Sequence, residues 1–321
     1  MNVILHQDRP WTYTVIDSQT GTTLGSAGLR RLDAAGREAE IDIDIHDATC
    51  AAEALKTLAS RACGEGLERL ELRATMQDAG RIRAGLAAGF GIEGIRRGVP
   101  QDQVILARLA SDPAGPTART LPDLPGGRLT DEIVELRPLR PSDADDYLAL
   151  ESEPDVARYR MGGPVTRQSA AMRCATAEYR WLAGDMAQCV ITDAATQAFA
   201  GTIQLVNREP ATATMMLGYA LLPQARGKGL ATRAVNLLTD WAFTIGAIRV
   251  VAGTFPDNTS SRAVLQRAGF TLEAVFEAAL PGPNGTRIDN VQLIRISPLP
   301  KRPYGARLLA DNLRLGKGKQ Q

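Results

Sequence analysis

The stretch with the strongest chemical character reads Gln224-Ala225-Arg226-Gly227-Lys228-Gly229-Leu230-Ala231. Gly227 and Gly229 let a backbone turn tightly and meet a ligand with no side chain intervening. A helix beginning just after them would present unpaired N–H groups and the positive end of its dipole. That combination holds phosphate or pyrophosphate, and Arg226, Lys228 and Arg233 add positive charge. The loop is neither a Walker loop, since no Gly-Lys-Ser/Thr ends it, nor a Gly-x-Gly-x-x-Gly fingerprint. A plain turn is the alternative for a single Gly-x-Gly. Further on stands Thr254-Phe255-Pro256-Asp257-Asn258-Thr259-Ser260-Ser261-Arg262, followed by Ala268-Gly269-Phe270.

The elements that must position these residues can be read from periodicity. Thr212–Leu222 reads as a strand, with Gly218 as a bulge or splay point. Lys228–Ile245 reads as a strong helix, with Leu230, Ala234, Leu237, Leu238, Trp241 and Ile245 on one face. Ile248–Thr254 is a β-branched strand, and Ser260–Ala268 a helix stopped by Gly269. Thr271–Leu280 and Arg287–Ile296 form a final hairpin, which Asp289 orders. Upstream, Ile133–Leu139, Ala187–Thr192 and Phe199–Val206 read as strands, the last two joined at Asp193–Gln197. Pro141, Ser142 and Asp143 open a helix, and residues 168–183 read as another.

Length and composition bound the rest. The chain has 321 residues, enough for two domains. Its 37 basic and 36 acidic residues leave a net charge of +1, which gives no field for nucleic acid. No apolar run reaches the roughly 18 residues of a membrane span. MNVILHQDRP lacks the pattern of a signal peptide, so a cytoplasmic location is expected. Cys50, Cys63, Cys174 and Cys189 have no CxxC spacing, and with two histidines in the chain no metal is expected. The cysteines and Trp11, Trp181 and Trp241 read as core packing.

Four segments follow. Residues 110–132, rich in Pro and Gly, read as an extended linker between a first half, 1–109, and a second half, 133–297. A basic tail, 298–321, follows, with Lys301, Arg302, Arg307, Arg314, Lys317 and Lys319. The halves read as distant copies. Trp11–Leu29 aligns with Ala187–Leu205 at an offset of 176, matching Asp17, Thr20 and Gly25 to Asp193, Thr196 and Gly201. Glu65–Glu93 aligns with Ile245–Glu273 at 180, matching Arg69, Gly89 and Glu93 to Arg249, Gly269 and Glu273. Val104, Leu106 and Arg108 match Val291, Leu293 and Arg295 at 187. The growth between the first two offsets falls on the glycine loop, where the first half offers only His46–Ala51. That half also reads as starting at the second strand, without the opening strand and two helices.

With these motifs in this order, residues 133–297 resemble the GNAT superfamily of acetyl-CoA-dependent N-acetyltransferases. Gln224-x-x-Gly227-x-Gly229 fits its pyrophosphate loop. Asn258-x-x-Ser261, Ala268-Gly269-Phe270 and Gly285-x-x-x-Asp289 look most like its ribosomal-protein N-terminal-acetyltransferase branch. The resemblance implies an α/β fold: two tandem GNAT-like domains, each a twisted, mostly antiparallel mixed sheet flanked by helices, the first truncated and inactive. It implies a splay between Met215–Leu221 and Ile248–Thr254 that receives the pantetheine arm.

The resemblance further implies that the backbone from Ala225 to Ala231 holds the pyrophosphate, with Gln224, Arg226, Gly227, Lys228, Gly229 and Leu230 in the loop. The Leu217 amide would polarise the thioester carbonyl. Asn258 would bond the pantetheine. Ser261 would protonate the leaving thiolate, because Leu265 stands where many relatives use a tyrosine. Met216 replaces a common glutamate base, whose first-half equivalent is Glu40. Glu209 is then the nearest candidate base, with Glu151, Glu153 and Asp155 as others. The expected reaction is direct acetyl transfer from acetyl-CoA, without metal, to a primary amine on a small molecule or a protein N-terminus. A non-catalytic acyl-CoA-binding protein and a transferase of longer acyl chains stay open. So do a homodimer and an intramolecular pseudo-dimer.

Overall fold

A computed structural model of the chain describes residues 3–30, 37–98, 100–282 and 285–298. The tail from residue 299, on which the basic-tail reading falls, lies outside the described residues. The chain divides into two compact units, Met1–Arg119 and Thr120–Gln321.

The amino-terminal unit contains β1 (Val3–Arg9), β2 (Thr12–Asp17), β3 (Thr23–Arg30), β4 (Glu38–Ile45), α1 (Ala48–Gly64), β5 (Arg69–Ala74), α2 (Ala79–Ala87), β6 (Gly91–Arg96) and β7 (Gln103–Leu109). Its sheet runs β1-β2-β3-β4-β5-β7-β6. Only β4–β5 is parallel, because α1 carries the chain back across the sheet between them. Leu55, Leu58, Ala59 and Ala62 of α1 are fully buried.

The carboxy-terminal unit contains β8 (Leu129–Thr130), β9 (Val134–Pro138), α3 (Ala144–Ser152), α4 (Pro154–Arg158), α5 (Arg167–Ala175), α6 (Ala177–Leu182), β10 (Met186–Asp193), β11 (Phe199–Glu209), β12 (Thr214–Leu221), α7 (Leu230–Thr244), β13 (Arg249–Thr254), α8 (Thr259–Arg267), β14 (Thr271–Pro281) and β15 (Arg287–Ile296). The sheet order is β14-β15-β13-β12-β11-β10-β9-β8, again with one parallel pair, β12–β13. On one face, Ile191, Ile203, Leu205, Met215, Leu217 and Val250 pack under the apolar stripe of α7. On the other, Val190 packs with Tyr147 of α3 and Ala170 and Cys174 of α5.

The two sheets share more than strand order. Gly25 pairs with Ile45 as Gly201 pairs with Leu221. Arg69 pairs with Leu109 as Arg249 pairs with Ile296. Both final hairpins slip register at matching points, Ile92/Gly94 and Leu272/Ala274. All of these pairs obey the offsets of 176, 180 and 187. The ion pairs Arg69–Glu93 and Arg249–Glu273 also correspond.

Three expectations need correction. The opening strand of the first half is present: β1 pairs with β2 antiparallel, as β9 does with β10. Its mostly exposed residues leave no apolar alternation to mark it in the sequence. The helices α3 to α6 have no counterpart among the described residues of that unit; a two-residue turn at Pro10-Trp11 stands in their place. Residues 168–183 form two helices, broken at Thr176, whose hydroxyl donates back to Met172 O. The segment 110–132 is built into both units rather than free. Thr117 bonds Leu86 and Phe90, Leu121 and Leu124 are buried in the second core, and Trp181 Nε1 donates to Pro122 O.

Candidate functional site

The site grows from a fork in the second sheet. β12 and β13 pair at Thr214↔Arg249, Met215↔Val250 and Met216↔Val251, and then part. In the amino-terminal unit the equivalent strands stay paired one rung further, at Ile41↔Leu72, the counterparts of Leu217 and Ala252. Ala213 O accepts from Arg249 N on the β13 side, and Leu222 N donates to Ala200 O on the other. Strand alternation therefore turns the Leu217 N–H and C=O toward β13; the N–H closes the last rung, Met216↔Val251, and the carbonyl is the first group past it. A cleft of about 1690 Å³ opens from this point.

At one end of the cleft the chain turns through Pro223–Ala225 into the glycine loop. Gly227 has φ of +74° and Gly229 +77°. No atom would crowd a side chain at either position, so glycine is required there by backbone conformation. Gly229 caps α7 without any side-chain hydrogen bond to the helix. The first intrahelical bond runs from Arg233 N to Gly229 O, which leaves the N–H groups of Leu230, Ala231 and Thr232 for a ligand. Arg226 turns to Asp155, and Arg233 to Asp131. Lys228 is the loop cation with no carboxylate partner among the described residues. Gln224 and Lys228 are exposed and do not line the cleft, whereas Ala225, Arg226, Gly227, Gly229, Leu230 and Ala231 do.

The matching place in the amino-terminal unit is already filled. Asp47 caps α1, its carboxylate accepting from Cys50 N at 2.8 Å, a bond that holds its pKa below the usual range. Glu40, the counterpart of Met216, is buried between Arg30 and Arg73.

The opposite wall of the fork is the start of α8. Asn258 caps this helix, its Oδ1 accepting from Ser261 N at 3.1 Å. The Ser261 hydroxyl lies 3.0 Å from the Tyr219 hydroxyl, which also donates to Ser261 O at 3.1 Å. Burial pushes the Tyr219 phenol up to about 12, against the opposing effect of the bond to Ser261. Tyr219 was missed from sequence, although its place two residues after Leu217 on the strand aims it the same way. Leu265 is buried in the core.

The cleft floor carries the even-numbered β12 residues Met216, Gly218 and Ala220. Tyr147 and Glu151 of α3 line it too, with Arg160, Arg173, Gln188 and Gln204. Glu151 pairs with Arg160 at 3.2 Å. Glu209 reaches the cleft from the exposed end of β11, and Asp155 from α4; Glu153 does not line it. Asp289 ties the final hairpin, accepting from Ala278 N. Cys50, Cys174 and Cys189 are buried free thiols, and burial raises Cys174 to about 11 and Cys189 to about 12, which makes them poor nucleophiles. Trp181 and Trp241 pack together in the core at 5.9 Å, whereas Trp11 sits half-buried in the turn after β1.

Residues 134–271 match the family model described as an acetyltransferase (GNAT) domain. The chain is 30% identical over 154 residues to the probable N-acetyltransferase YjcK of Bacillus subtilis (strain 168), spanning 46% of this chain and 85% of that protein. Among solved structures, Mycobacterium smegmatis RimJ in complex with CoA-disulfide shares 24% identity with a TM-score of 0.49, covering 58% of this chain and 93% of RimJ. The ribosomal-protein-S5-alanine acetyltransferase of Vibrio fischeri shares 22% with a TM-score of 0.48, covering 55% and 98%.

Proposed function

The chain belongs to the acetyltransferase (GNAT) family, and from that premise we propose that it moves an acetyl group from acetyl-CoA directly to a primary amine. The observation that carries this reading is the uncapped, glycine-shaped start of α7 beside a sheet that opens at Leu217. The amine is on a small molecule or a protein N-terminus.

Acetyl-CoA supplies the activated acyl carbon of a thioester. The backbone from Ala225 to Ala231 donates N–H groups to its pyrophosphate. The Leu217 N–H, once the fork opens by its last rung, Met216↔Val251, meets the carbonyl oxygen and stabilises the negative charge that develops there. Asn258 stands at the α8 end of the fork, beside the pantetheine path. The amine attacks only when neutral, so either a carboxylate takes its proton through water or the amine is weakly basic to begin with. Met216 cannot, and the cleft carboxylates Glu209 and Glu151 can. Ser261, bonded to Tyr219, passes a proton to the departing sulfur and is reprotonated by water from the open cleft. Titration of the full chain with acetyl-CoA, followed by free-thiol release against a panel of amines and N-terminal peptides, tests the reading. Binding with thiol release is expected; absence of binding defeats the loop assignment.

A further inference from the structure

Most half-buried arginines of the carboxy-terminal unit have a carboxylate. Arg137 grips Asp143 with two bonds of 2.8 Å, and Arg160 holds Glu151. Arg173 differs. It extends from α5 to the sheet, where Nε donates to Gln188 Oε1 at 2.7 Å and Nη2 to Gln204 Oε1 at 3.0 Å. A third contact runs from Nη2 to Met186 Sδ at 3.1 Å. All three acceptors are neutral, and no carboxylate among the described residues lies within ion-pair distance. Gln188 and Gln204 are directly paired on β10 and β11, so the two amides stand side by side as a mount. Arg173 Nη1 makes no bond to the described residues, and Arg173 lines the cleft.

A guanidinium stays charged whatever its surroundings. Removing it from water without a directly bonded counter-ion is costly, and burial, aided by Arg180, draws its pKa below the usual arginine value against the weaker pull of Tyr147 and Glu151. Folding tolerates the cost here at one side chain's distance from the fork: a Cβ at Gly218 would lie 3.3 Å from Gln204 Nε2. The mount is also peculiar to this unit. In the amino-terminal unit the positions of Gln188 and Gln204 hold Thr12 and Gly28, and α5 has no counterpart.

We propose that the acceptor is an amine carrying a carboxylate close to its amino group, and that Arg173, mounted on Gln188 and Gln204, binds that carboxylate. This rests on the acetyl-transfer reading above. A free amino acid and a peptide with an acidic first residue share the required chemistry.

The test uses the full chain saturated with acetyl-CoA and reads thiol release. Each amino acid is paired with its amide, and each acidic N-terminal peptide with its Asn or Gln form. The acid forms should be preferred by roughly 100-fold in kcat/KM, since truncating one side of a buried charge pair has effects of that order. Arg173→Met should erase the preference mainly through KM, leave acetyl-CoA affinity unchanged, and hold or raise the melting temperature. A purely structural arginine would do the reverse, lowering the melting temperature and keeping the preference. The amino-acid and peptide arms tell the two sources apart. Equal use of acid and amide forms overturns the proposal, and that comparison needs no variant. Binding of acetyl-CoA without turnover of any carboxylate-bearing amine overturns it too, while the cosubstrate reading stands. Failure to bind acetyl-CoA removes both.

Discussion

Ser261 and Tyr219 have to be considered as a pair, because each hydroxyl fixes the other across the fork. Ser261→Ala is expected to lower kcat by about 100-fold with little change in acetyl-CoA affinity, the scale of a lost proton donor. Tyr219→Phe should lower kcat less. It should also remove a stability loss at high pH. The unfolded phenol titrates near 10 and the folded one at about 12. Between those values the folded state retains a proton that the unfolded state has released, so stability falls as pH rises. Melting temperatures taken across that range for wild type and Tyr219→Phe check this. At Gly227 and Gly229 the demand is conformational. A non-glycine residue at positive φ costs on the order of 1–3 kcal/mol, so Val at either position should weaken acetyl-CoA binding roughly 10- to 100-fold. Titration calorimetry on variants with unchanged circular dichroism reads it out.

The elements decide how these residues meet. The loop, α7 and α8 were legible because glycines and apolar spacing mark them in the chain itself. Arg173, Gln188, Gln204 and Tyr219 were not. Each acts across elements distant in sequence, and a polar residue on a strand gives no sign of what faces it. The break at Thr176 and the strand β1 were hidden for a local reason: neither disturbs or completes an apolar repeat. One joint of the site can be tested at this scale. Asp143 begins the turn into α3, which carries Tyr147 and Glu151. Its burial would raise its pKa, but the Arg137 guanidinium and the Arg140 N–H outweigh that and leave it lowered. Its stabilising effect is therefore present above about pH 4 and lost as pH falls further. Asp143→Asn should cost about 2 kcal/mol in denaturant unfolding at pH 7, somewhat less than a fully buried pair, because it strands a half-buried guanidinium. The difference from wild type should shrink in acid.

At the level of the whole molecule, the two units differ at the places that the proposed function depends on. Their registers agree, yet one pairs Ile41 with Leu72 where the other opens, and places the Asp47 carboxylate on a helix start that the other leaves bare. An anion approaching α1 would meet a negative charge already in position. The full chain should accordingly bind one acetyl-CoA; a calorimetric stoichiometry of two would overturn the reading of the first unit as inactive. The shared register has a consequence for how the chain folds. Each strand of one sheet is a plausible wrong partner for its counterpart's neighbours, so the two sheets are decoys for each other while both are still open. Their edges differ in charge where this matters: β4 brings Glu38 and Glu40 to the rungs that β12 fills with Thr214 and Met216. A misplaced β4 would set Glu40 beside Val251 with neither Arg30 nor Arg73 at hand, so the charge at that one rung sorts the strands.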